Sequence, residues 1–124
     1  MDMVIRFVWL AQEESKSEND RYVRIFDVNE DGTLNDGKIF CDMNIDIPGH
    51  PDGMKWDQAG NIYCTGPGGV WVIDTMGNHL GTIVTPEQPA NCAWGDEDYK
   101  SLYITAITSI YKIRVTIPGN KTGT

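Results

Sequence analysis

The sequence predicts an all-β domain of antiparallel strands. Three observations carry that expectation: a repeat of about 40 residues, turn-forming residues every few positions, and no sustained helical periodicity. The repeat weighs most, because self-similarity at a fixed period constrains the whole architecture. Ile62-Tyr63-Cys64-Thr65 recurs as Leu102-Tyr103-Ile104-Thr105, and Val70-Trp71-Val72-Ile73 recurs as Ile110-Tyr111-Lys112-Ile113, both displaced by 40 residues. A poorer copy precedes them, in which Val8-Trp9-Leu10-Ala11 corresponds to the Ile62 segment and Tyr22-Val23-Arg24-Ile25-Phe26-Asp27 to the segment ending at Asp74. Short strands rich in β-branched and aromatic residues, repeating at this period, are what four-stranded propeller blades require.

Taken in order, the first copy predicts strands at Val8–Ala11 and Tyr22–Asp27 and lacks an innermost strand; the polar, charged run from Glu13 to Arg21 reads as the loop between them. The second copy is complete, with strands at Gly53–Asp57, Asn61–Thr65, Gly69–Asp74 and Leu80–Val84. Asp57-Gln58-Ala59-Gly60-Asn61 and Asp74-Thr75-Met76-Gly77-Asn78 are expected hairpin turns in which Asp caps the turn and Gly takes a positive φ. The third copy ends near Val115 without an outermost strand. The chain therefore carries about two and a half to three blades, and two such half-propellers could complete a ring of six. An open array leaves edge strands unpaired, and a second copy related by a two-fold axis is the simplest cover, so a homodimer pairing two half-propellers is expected.

At 124 residues the chain fits one domain, spanning residues 1–124. A net charge of −8 and a pI near 4.5 argue against nucleic acid as a partner, since phosphate binding needs clustered Lys and Arg. The apolar stretch from Val4 to Ala11 is interrupted by Arg6 and falls far short of the ~20 residues that cross a bilayer. It also lacks the pattern of a secretory signal, so no membrane association is expected. Cys41, Cys64 and Cys92 are odd in number and widely spaced, which suggests neither a disulfide framework nor a zinc site. A cytoplasmic location is the resulting expectation.

The run Gly49-His50-Pro51-Asp52-Gly53-Met54-Lys55-Trp56-Asp57, followed by Gly60-Asn61-Ile62-Tyr63, resembles the P-D-G-M-x-x-D-x-x-G-N-x-Y signature of the gluconolactonase family, the group that includes regucalcin or senescence marker protein. Thr65-Gly66-Pro67-Gly68-Gly69-Val70-Trp71-Val72, His79-Leu80-Gly81-Thr82-Ile83, Asn91-Cys92-Ala93-Trp94-Gly95 and Leu102-Tyr103-Ile104-Thr105-Ala106 are similar to successive segments of bacterial members. The resemblance runs from about residue 8 to residue 118. It implies a six-bladed propeller that hydrolyses sugar lactones or related esters with one divalent cation, most often calcium, held at the central channel. It further implies that Asp52 is a metal ligand and a catalytic carboxylate, since a hard cation prefers oxygen donors and polarises a carbonyl towards water.

Read without the resemblance, Asp52 is a turn-capping carboxylate. The family's other ligands, a Glu and an Asn, have no aligned counterpart in this sequence. Two readings follow: a metal-dependent lactonase, or a catalytically inactive half-propeller that serves as an assembly or ligand-binding module. A third has a different polypeptide complete the ring. Asn91, one position before the counterpart of Asp52 under the 40-residue offset, is a candidate substrate-binding residue or else a turn amide. His50 is a candidate to contact substrate or protonate a leaving group, or else a solvated loop histidine. Cys92 reads as a small buried hydrophobe rather than a channel thiol.

Two tempting patterns reduce to turns. Asp27-Val28-Asn29-Glu30-Asp31-Gly32 opens like a calcium-binding EF-hand loop, but its twelfth position is Lys38 where a bidentate Glu is required. Gly66-Pro67-Gly68-Gly69 lies between strands rather than opening a helix, so it is not a phosphate cradle.

Overall fold

The computed structural model describes residues 6–11 and 21–121. Ten antiparallel strands and no helix occur among them: β1 (Arg6–Ala11), β2 (Tyr22–Asp27), β3 (Lys38–Asp42), β4 (Met54–Trp56), β5 (Ile62–Gly66), β6 (Gly69–Ile73), β7 (His79–Val84), β8 (Pro89–Gly95), β9 (Ser101–Ala106) and β10 (Ile110–Arg114). They form three sheets of three, four and three strands, ordered β1-β2-β3, β4-β5-β6-β7 and β8-β9-β10. The all-β expectation holds, and each repeated segment falls on the strand expected of it. The stretch from residue 12 to residue 20, read above as a loop, lies outside the described residues, as do residues 1–5.

The sheets stack face to face, and strand alternation assigns each side chain to a junction. In the middle sheet Ile62, Cys64, Trp71 and Ile73 point back to Val23 and Cys41 of the first sheet and to Met43 just beyond it. Tyr63 and Val70 point forward to Cys92, Leu102 and Ile104 of the third, with Val72, Ile83, Trp94 and Tyr111 around them. Because both of its faces are covered, β5 is buried at every position. Trp71, only 2% exposed, donates its indole N–H to the Pro67 carbonyl at 2.8 Å, so a large apolar side chain is buried without stranding its polar atom.

The two Asp-to-Asn turns are copies of each other. Asp57 Oδ1 accepts the amides of Ala59 and Asn61 at 2.9 and 3.0 Å, and Asp74 Oδ1 accepts those of Met76 and Asn78 at 2.9 and 2.9 Å. In each, the Asn side chain donates to the other Asp oxygen at 3.1 Å, and the glycine takes a φ near +90° (Gly60 +86°, Gly77 +89°). The EF-hand-like stretch is also a hairpin turn, closed by Asn29 N–H to the Thr33 carbonyl at 2.7 Å and by Asp31 accepting the Thr33 amide at 2.9 Å. The glycine-rich stretch turns β5 into β6, where Gly69 sits at φ +153° and a Cβ would meet the Ile83 carbonyl at 2.0 Å.

Beyond β10 the chain crosses back to the middle sheet. Gln58 N–H donates to the Pro118 carbonyl at 2.9 Å, Asn120 N–H donates to the Trp56 carbonyl at 3.0 Å, and Gly119 forms an isolated bridge with Asp57. Trp94 Nε1 donates to the same Trp56 carbonyl at 2.9 Å. This strap ties the third sheet to the turn that opens the middle one.

Candidate functional site

Asp52 lies just ahead of β4, the inner strand of the middle sheet, and is exposed, while the preceding Pro51 is buried and anchors the approach. Its carboxylate is near enough to Cys64 to contribute to that thiol's raised pKa, after burial and the neighbouring thiols. The backbone beside it is set by Thr65, which is wholly buried. Thr65 Oγ1 accepts the Gly53 amide at 2.9 Å and lies 3.3 Å from the Gly53 carbonyl and 3.4 Å from the Ala90 carbonyl. One hydroxyl thus links the start of β4 to the start of β8.

That link brings Asn91 beside Gly53, the residue that follows Asp52. A Cβ on Gly53 would stand 2.1 Å from Asn91 Oδ1 and 2.7 Å from its Cα, so only glycine lets the two inner strands approach this closely. The exposed Asn91 side chain accepts its neighbour's amide, Cys92 N–H, at 2.8 Å. Strand pairing corrects the register read from the sequence. Met54 pairs with Cys64 and Cys92 with Ile104, Trp56 with Ile62 and Trp94 with Leu102. Since Cys64 and Ile104 are themselves equivalent, Met54 corresponds to Cys92, Gly53 to Asn91 and Asp52 to Ala90. Asn91 therefore follows the counterpart of Asp52 instead of preceding it. The physical reason is the β8–β9 turn, two residues longer than the β4–β5 turn.

Cys92 faces the core in the place Met54 occupies one repeat earlier, and burial pushes its thiol up to about 11. It is protonated at neutral pH and behaves as a small hydrophobe. His50 is exposed and lines a cleft of about 480 Å³ with Arg21, Asn44, Asp46 and Gln88; Asp52 and Asn91 do not line it. Asp52 thus stands just ahead of β4 and Asn91 within the neighbouring β8, and neither lines the cleft of His50.

Two positioning residues escape the sequence reading. Thr65 is one; its recurrence as Thr105 in the repeat is the signal that could have found it, and Thr105 Oγ1 indeed lies 3.3 Å from the Asn91 carbonyl. The other is Arg21, 7% exposed, which shapes the loop leading to Asp52. Its guanidinium donates to the carbonyls of Ile45 at 2.6 Å, Ile47 at 2.8 Å and Gly49 at 3.0 Å. At the end of a polar run, nothing in its spacing signals such a role.

Among the described residues no group of three or more His, Cys, Asp or Glu side chains could hold a metal ion together. Asp52 therefore belongs to no such group among the described residues. Calcium takes about 6–8 oxygens, so these residues alone do not make a resident cation site.

The sequence profile of the SMP-30/Gluconolactonase/LRE-like region matches residues 16–108, and the chain belongs to that family. A gluconolactonase of Zymomonas mobilis is 36% identical over 70 residues, a match covering 55% of this chain and 19% of that protein. The structure of a gluconolactonase from Xanthomonas campestris superposes with a TM-score of 0.64 at 28% identity, covering 80% of this chain and 30% of that one. Regucalcin of Agrobacterium tumefaciens, a calcium-binding protein, superposes with a TM-score of 0.68 at 20% identity over 81% of this chain and 40% of its own, a likeness of fold. The fold is propeller-type, and the chain spans well under half the length of each of these relatives. No helix among the described residues is long and apolar enough to cross a membrane.

Proposed function

We infer that the chain contributes the Asp52 portion of a site that hydrolyses sugar lactones or related esters. The observation that carries this reading is an exposed carboxylate, Asp52, set directly before a backbone segment held by the buried Thr65 hydroxyl, which also reaches the carbonyl of Ala90, next to the exposed amide of Asn91. Rigid placement of this kind suits a group that must meet a substrate in one geometry. Family membership supports lactone hydrolysis as the chemistry. A divalent cation, calcium foremost, is the cofactor the reading calls for, and its remaining ligands would come from outside the described residues. The test is hydrolysis of gluconolactone with calcium and after chelation. Chelator-sensitive turnover is expected, and Asp52→Ala should lower it at least about 100-fold, the scale of losing one preorganised electrostatic group. Turnover unchanged by Asp52→Ala would remove the reading.

A second reading rests on the sparse donor set around Asp52. It makes the chain a catalytically inactive assembly or ligand-binding module, and absence of turnover under every divalent cation tried, in a correctly assembled sample, would favour it.

A further inference from the structure

Three aspartates are followed directly by glycine: Asp31-Gly32, Asp36-Gly37 and Asp52-Gly53. Such a pair can rearrange without any enzyme. The glycine amide nitrogen attacks Cγ of the aspartic acid, a C–N bond forms, and the carboxyl hydroxyl leaves with the amide hydrogen as water, giving a five-membered succinimide. Water then opens the ring at either carbonyl, returning aspartate or leaving isoaspartate, in which the main chain runs through the side-chain carbons. Glycine favours closure because no Cβ crowds the attack. The step makes two demands on the fold. The glycine N–H must be released from any partner, since the imide nitrogen carries no hydrogen, and the glycine backbone must be free to swing onto the carboxyl.

The three pairs meet these demands differently. Asp52 is exposed, so its carboxyl is open to attack, but the Gly53 peptide is held on both sides. Its N–H donates to Thr65 Oγ1 at 2.9 Å and its carbonyl accepts the Thr65 amide at 2.9 Å, with Thr65 wholly buried. Its Cα is also pressed against the backbone and side chain of Asn91. At Asp31 the Gly32 N–H donates to the Asn29 carbonyl at 3.0 Å. The Thr33 hydroxyl and amide bond the Asp31 carboxyl and hold it below its ordinary range, ionised and therefore a poor electrophile. Asp36 and Gly37 have no such hold. They lie between the two Asn35–Asp27 hydrogen bonds, at 3.0 and 2.9 Å, and the start of β3 at Lys38. Asp36 is exposed, and among the described residues the Gly37 amide enters no hydrogen bond. What presses on Gly37 is the Phe26 ring, a side chain rather than fixed backbone.

We propose that Asp36-Gly37 is the bond at which this chain rearranges to isoaspartate, and that the buried Thr65 hydroxyl keeps Asp52-Gly53 from doing the same. The first rearrangement lengthens the main chain by one atom just ahead of β3. The second would turn the exposed Asp52 side chain into main chain, so Thr65 guards the chemical identity of that carboxylate as well as its position. The proposal goes beyond the lactonase reading and does not depend on it.

The test is ageing of the full chain at physiological temperature in mildly acidic buffer, followed by labelling with an isoaspartyl-directed methyltransferase and tritiated S-adenosylmethionine. Trypsin separates the sites, since Asp31 and Asp36 fall in the peptide of residues 25–38 and Asp52 in that of residues 39–55. The other aspartates of the second peptide precede Met43 and Ile47, whose side chains slow closure. Wild type should label in peptide 25–38, Asp36→Glu should abolish that label, and peptide 39–55 should stay near background. Thr65→Val should raise labelling of peptide 39–55 at least about 5-fold, the equilibrium worth of one lost buried hydrogen bond, while Thr65→Ser stays near wild type. Ile104→Val, which loosens the core and keeps the hydroxyl, should leave that peptide near background. An unlabelled peptide 25–38 in wild type, label there that survives Asp36→Glu, or wild-type label in peptide 39–55 equal to that in 25–38 would overturn the proposal. So would no gain in Thr65→Val, or an equal gain in Ile104→Val.

Discussion

Thr65 shows how much of this site hangs on one buried hydroxyl. Replacing it with Val keeps the shape but removes the acceptor for the Gly53 amide and the contact to the Ala90 carbonyl, while the Thr65 amide still donates to the Gly53 carbonyl at 2.9 Å. A buried donor left without its partner costs about 1–3 kcal/mol. Thr65→Val should therefore lower the unfolding free energy by that amount in a urea titration, with Thr65→Ser retaining most of the contact. Equal stability of the Val and Ser variants would show that the hydroxyl does not hold the two inner strands together. At this scale the sequence is only partly legible. Asp52 stands out through the motif around it and Gly53 through its place in that motif, but the approach of Asn91 to Gly53 depends on a hydrogen bond that no spacing encodes. Arg21 is less legible still, because its partners are backbone carbonyls, which look the same in every residue.

Turns decide the register of each sheet. The β4–β5 and β6–β7 connections use one design, an Asp accepting two amides and an Asn closing the loop. The β8–β9 connection is longer and uses another. Asp96, in the left-handed region at φ +65°, gathers the Ser101 and Tyr103 hydroxyls and Lys112, and these hold its carboxyl at about 2, below the usual 3.8. A carboxyl whose folded pKa lies below its unfolded value adds stability that is complete above the unfolded pKa and fades as pH falls through the folded one. The wild type should therefore melt at a higher temperature than Asp96→Asn near neutral pH, and the difference should close between about pH 4 and pH 2. Added salt should shrink it, because the group is exposed to solvent. A difference that is flat with pH would assign the effect to packing. The same turn explains why a fixed 40-residue offset places β9 and β10 correctly yet misplaces Asn91: the two extra residues lie between β8 and β9, so every offset within β8 itself becomes 38.

For the whole molecule, the architecture is legible because each junction between sheets must be filled, and that demand writes apolar residues at a constant period into β5, β6, β9 and β10. The first sheet is read less sharply because its repeat is diluted: Arg24 stands where the middle sheet has Trp71. Function is the least legible level. Family membership names a chemistry, but the described donors around Asp52 are too few to complete a cation site.

The strap from Pro118 to Asn120 has a kinetic consequence. By bonding to Gln58 and Trp56 it closes a loop around the junction of the second and third sheets, so that junction cannot breathe unless the chain end also lets go. Exchange of backbone hydrogens with heavy water should therefore be gated together across both sheets. Amides at Gln58 and Asn120, which sit in irregular backbone and would ordinarily exchange in step with loops, should instead share the slow phase of Ile104 in the middle of β9. Mass spectrometry of peptic fragments would read this directly, and fast exchange at Asn120 beside a protected β9 would show that the strap merely rests on the turn it touches.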